Sequence, residues 1–114
     1  MIRIKRIYES PTPSPGDGKR ILVDRLWPRG LKKEDVIFDE WIKEAAPSNE
    51  LRKWFGHDPA RWQEFKKRYK RELTGKTELV ERLKAEAAAG TLTILYSAKD
   101  TEHNNAVVLR DLIA

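Results

Sequence analysis

Cysteine is absent from the 114 residues, so no disulfide and no thiolate metal site can form. That composition fits a reducing compartment. Histidine is scarce, with two residues, and methionine occurs once. No apolar run approaches the roughly 20 residues needed to span a bilayer. The first residues, MIRIKRIYES, hold no uninterrupted apolar core, so no secretory signal is expected and the expected location is cytoplasmic. Glycine-rich phosphate loops, a G-x-S-x-G elbow and a helical His-x-x-x-His pair are also missing, which leaves no standard catalytic signature. No metal site and no cofactor are expected. Proline and glycine are few, six each, and they cluster: residues 10–18, SPTPSPGDG, hold three prolines and two glycines. That stretch reads as a loop too short to separate two domains, so residues 1–114 read as a single domain.

Charge, by contrast, is plentiful. Charged residues make up 36% and hydrophobic residues 39%, and the four tryptophans give enough apolar surface for one core. The net charge of +5 is local. Residues 61–71, RWQEFKKRYKR, hold six basic residues and one acid, and the remainder is balanced at 17 of each. Such a run marks either an anionic partner or a solvated helix face.

The apolar spacing predicts the elements. Residues 2–8, IRIKRIY, alternate as a half-buried strand, and residues 19–27, KRILVDRLW, read as an interior strand stopped by Pro28 and Gly30. Val36, Ile37, Phe38, Trp41 and Ile42 suit a strand or a helical face; a strand over 36–42 is taken. Ser48 caps a short helix through Phe55. Asp58-Pro59 opens a helix whose stripe is Trp62, Phe65, Tyr69 and Leu73. A third helix runs from about Thr77 to Ala89, ended by Gly90. Residues 91–98, TLTILYSA, form a strand, and Asp100 or Thr101 caps a last helix with Ala106, Val107, Leu109, Leu112 and Ile113 inward. This order predicts a small α/β domain, a mostly parallel sheet with helices packed on it as a three-layer sandwich.

Ligands of open parallel sheets bind beyond the carboxyl ends of the strands. Two segments lie there: RLWPRG, residues 25–30, and SAKDTEHNN, residues 97–105. If their strands are neighbours, Arg25, Trp27, Arg29, Lys99, His103 and Asn104 converge as a cationic ligand-binding site beside a helix N-terminus. Arg25 serves equally well as a structural partner of Asp24, Asp100 or Glu40. Trp27 reads as core or pocket wall, Arg29 as a loop cation held between Pro28 and Gly30, and Asp100 as a cap. In an enzymatic reading His103 is the acid or base and Asp100 orients it. His57 reads as a turn residue, since no second ligand stands at metal spacing.

DRLWPRG (24–30), EAAPSNELRKWFGHDPARWQEF (44–65), RYKREL (68–73) and LYSAKDTEHNNAVVL (95–109) together resemble the YeaO-like family, domain of unknown function 488. The resemblance spans most of the chain. It implies an α/β sandwich and a cytoplasmic protein, and its motifs fall on the same two segments. The function expected is binding of a small anionic ligand, phosphorylated or carboxylated. The alternative is a nucleic-acid-binding or interaction protein using the helix over 61–71.

Overall fold

The computed structural model describes residues 1–114. Four strands form one all-parallel sheet in the order β1-β4-β2-β3: β1 is Ile2–Arg6, β2 is Lys19–Leu22, β3 is Glu40–Trp41 and β4 is Leu92–Tyr96. Every residue of β4 is buried, because β1 and β2 flank it; Ile94 is paired with Ile4 on one side and Ile21 on the other. Between β3 and β4 come α1 (Asn49–Phe55), α2 (Trp62–Thr74) and α3 (Thr77–Ala89), and α4 (Asn105–Ile113) closes the chain. No helix is long and apolar enough to cross a membrane.

The caps behave as their chemistry dictates. The Ser48 hydroxyl accepts from the Leu51 amide and starts α1, and Asp58 accepts from the Ala60 amide ahead of α2. The stripe Trp62, Phe65, Tyr69 and Leu73 is buried as its spacing requires. It joins Ile21, Val23, Leu92, Ile94 and Tyr96 from one face of the sheet in a core shared by all four helices. The other face carries Leu22 and Leu95 with Ile7 and Val36, and Tyr8, Trp27, Leu31, Phe38 and Trp41 pack on them. So the α/β domain has its helices on one face, and loops form the layer on the other.

The first strand ends at Arg6 rather than at residue 8, β4 runs Leu92–Tyr96 rather than 91–98, and three further boundaries differ from expectation for identifiable reasons. The second strand ends at Leu22 rather than Trp27, since Trp41 Nε1 takes the Asp24 carbonyl at 2.6 Å and Asn105 Nδ2 takes that of Val23 at 2.8 Å. Carbonyls engaged by side chains cannot extend a ladder. The strand expected over 36–42 shrinks to two residues for a related reason: the Ile37 carbonyl accepts from Arg20 Nε, and the Ile37 amide donates to Pro11. The last helix starts at Asn105, capped by Asn104 rather than by Asp100 or Thr101. Its buried face is therefore Ala106, Val108, Leu109 and Ile113, while Val107 and Leu112 are only partly buried.

The basic helix yields a first test. Lys67 and Lys70 are exposed and Lys66 lies along the Trp62 ring, 5.5 Å from its centroid. Replacing Lys66, Lys67 and Lys70 together with Gln should move the urea midpoint by the equivalent of about 0.5 kcal/mol or less, as surface changes do. A larger loss would reverse the assignment of the α2 faces.

Candidate functional site

The loops beyond β1, β2 and β4 enclose an open cavity of about 750 Å³. Tyr8 enters from the β1 end, Asp24 to Arg29 from the β2 end, and Ser97 to Asp100 from the β4 end. Arg52 and Phe55 of α1, His57, and Asn104 and Asn105 at the start of α4 complete the wall. The central position of β4 explains the convergence: its two neighbours in the sheet point their carboxyl ends the same way.

The RLWPRG segment is held rigidly. Trp27 Nε1 donates to the Leu31 carbonyl at 2.6 Å, and its ring packs against Phe38 and Trp41. It is at once pocket wall and core of the loop-covered face. Pro28 is buried, Gly30 sits at φ 84°, and the Tyr8 hydroxyl donates to the Arg29 carbonyl at 2.7 Å. Backbone contacts thus fix Arg29 while its side chain stays exposed, without a partner. Arg25 is less available. Its Nε donates to Pro47 O at 2.9 Å and its Nη2 to Ala46 O at 3.3 Å, so it pins the 46–47 turn instead of pairing with Asp24, Asp100 or Glu40.

The second segment differs more from expectation. Asp100 Oδ1 accepts from the amides of Glu102 and His103, both at 2.9 Å, and Oδ2 contacts His103 Nδ1 at 2.9 Å. These backbone amides, and then the His103 ring, hold the Asp100 carboxyl below the usual carboxylate range. Asp100 therefore organises a separate turn ahead of α4. His103 lies in that turn and not in the helix, with its ring edge-on to Trp62 at 5.2 Å, and it does not line the cavity. Asn104 does, although its carboxamide is occupied: Oδ1 accepts from Val107 N, and Nδ2 donates to Asp100 O.

Of the residues expected to converge, Arg25, Trp27, Arg29, Lys99 and Asn104 line one cavity, together with Asp100. Sequence reasoning missed Asp24, Arg52 and Asn105 as cavity lining, and His57 is the turn residue expected but also lines the cavity. Asp24 stood inside the quoted motif, but its position suggested a partner for Arg25. Arg52 carries no local signal, because only the packing of α1 turns it inward. His57 reaches the rim because Gly56 and His57 both take left-handed backbone, φ 53° and 57°.

The electrostatics of this wall are uneven. Arg29, Arg52 and Lys99 make no side-chain hydrogen bond or ion pair, although Arg52 Nε is buried. The carboxylates present are Asp100, already saturated, and Asp24. Burial pushes the Asp24 carboxyl above the usual carboxylate range, with Ser97, Asn105 and the charge on His57 pulling it back. No group of three His, Asp or Glu side chains stands close enough together to hold a metal ion.

A four-stranded parallel sheet with helices packed on one face defines a small α/β domain. Within that class, the chain belongs to the DUF488 family: residues 1–114 match the model described as the inactive DUF488-N3 subclade. It is 48% identical over 110 residues to YeaO of Escherichia coli (strain K12), covering 96% of this chain and 94% of that protein. It is 38% identical over 112 residues to Rv3073c of Mycobacterium tuberculosis (strain ATCC 25618 / H37Rv), covering 98% and 92%. No solved structure matches it.

Proposed function

We propose that the cavity is a non-catalytic binding site for a small phosphorylated or carboxylated ligand. One observation carries this reading: Arg29, Arg52 and Lys99 line a single cavity with no carboxylate paired to any of them. Unpaired cations that face one cavity favour an anionic occupant, which offsets their like charge and supplies the missing hydrogen bonds. The word inactive in the subclade's description supports binding over turnover. So does the geometry, since His103, the expected acid or base, is turned onto Trp62.

The nucleic-acid alternative draws less support from the basic helix. Arg61 and Arg68 stack on the Trp54 ring, and Arg68 also pairs with Glu64 at 3.1 Å, so the run does not present one continuous basic stripe.

The test is thermal unfolding against inorganic phosphate at fixed ionic strength. Native-state binding stabilises by about 2.7 kcal/mol once the anion reaches 100 times its dissociation constant. The response should therefore have a saturable part above the general effect of an excluded salt. Arg29→Gln and Arg52→Gln should each remove much of the saturable part and leave the general one. A saturable response unchanged in both variants would place the anion elsewhere and sink the reading.

A further inference from the structure

Resting on the anion-site reading, we infer that the ligand is zwitterionic: a small anion that also carries an ammonium group, which Asp24 receives. Asp24 Oδ2 is an acceptor and Arg52 Nε a donor. Both atoms are buried and neither meets a partner at ordinary hydrogen-bond geometry, with Ser97 a nearby donor to the Asp24 carboxyl, and both belong to residues that line the same cavity. Buried polar groups in native proteins are almost always paired, so two unpartnered atoms of opposite kind on residues lining one cavity call for an occupant that answers both.

Asp24 is held ready for this. Asn105 Nδ2 lies 3.3 Å from its Oδ1, and the Asp24 carbonyl accepts from Trp41 Nε1, which together fix the residue at the end of β2. A plain anion would satisfy Arg52 and leave Oδ2 bare, and it would also bring a second negative charge beside a buried carboxyl. An ammonium supplies the missing donor and cancels that repulsion. A hydroxyl supplies the donor alone, so the ammonium is the stronger partner. Sites with a buried acceptor discriminate sharply against ligands that lack the matching donor.

Calorimetric titration with two matched pairs decides the point: ethyl phosphate against O-phosphoethanolamine, and succinate against L-aspartate. In the wild type the amino member of at least one pair should bind at least about tenfold more tightly, the size expected for one buried hydrogen bond to charge. In Asp24→Asn the preference should fall to about threefold or less, while Arg52→Gln should weaken both members alike. Capping the amine, with N-acetyl-L-aspartate and N-acetyl-O-phosphoethanolamine on the wild type, should abolish the preference and needs no variant to fold. Equal affinity within both pairs overturns the inference and leaves the anion site standing, as does a preference that survives amine capping or Asp24→Asn. No saturable binding by any of the four overturns both.

Discussion

Replacing Asp17 with Asn should cost this protein about 3–5 kcal/mol, the loss expected when one partner of a buried ion pair is removed. Asp17 is 2% exposed and Arg20 1%. Arg20 Nη1 donates to Asp17 Oδ2 at 2.8 Å, while Lys5 Nζ and Arg3 Nη1 reach Oδ1 at 2.6 and 3.2 Å. The other two Arg20 nitrogens, Nε and Nη2, donate to the carbonyls of Ile37 and Ser10. One guanidinium thus ties both loops of the second face to the sheet, and Asp17 neutralises it. In the Asn variant that charge stays buried without a counterion, because Lys5 and Arg3 only add to it.

The pH dependence follows from the same contacts. Burial alone would raise the Asp17 carboxyl, but hydrogen bonds from Lys5, the Ser14 amide and Arg20 overcome it and hold the group well below the usual carboxylate range. A folded-state value below the unfolded one stabilises the fold above about pH 4 and is lost as pH falls. Urea midpoints for wild type and Asp17→Asn should therefore lie far apart at pH 7 and draw together below about pH 4. A gap under about 1 kcal/mol at pH 7 would show that Arg20 is satisfied by carbonyls alone.

Trp62→Ala should be comparably severe, again about 3–5 kcal/mol, as for other large-to-alanine changes in cores. The ring is 8% exposed and packs on Phe55 and Phe65 at centroid distances of 6.0 and 5.7 Å. It therefore fastens α2 to α1. It also meets the His103 ring edge-on, so its loss should loosen the turn that Asp100 organises beside the cavity. Two readouts separate the effects: the denaturation midpoint reports the lost core, and exchange of the Glu102 and His103 amides reports the turn. A midpoint shift no greater than that of the Lys66, Lys67 and Lys70 triple variant would refute the packing argument.

Periodicity and capping determined much of this fold before any contact was known. Helical spacing placed Trp62, Phe65, Tyr69 and Leu73 on one buried face, and Ser48 and Asp58 marked starts that the backbone uses. These signals are local: a cap or a stripe depends on residues within a few positions. The two loop segments that would meet were legible as well, because a parallel sheet points its carboxyl ends one way. Other features depended on distant partners. Asp24 left the strand because Trp41 and Asn105 took carbonyls at its end. Asp100 lost the cap to Asn104 because its oxygens found the Glu102 and His103 amides first. His103 turned away from the cavity because Trp62, forty-one positions earlier, offered its ring. Arg52 entered the site only through the packing of α1. Hydrogen bonds and ring contacts between residues far apart in the chain leave no periodic trace in it, so the elements were readable in advance and the occupants of the cavity wall were decided by the tertiary structure.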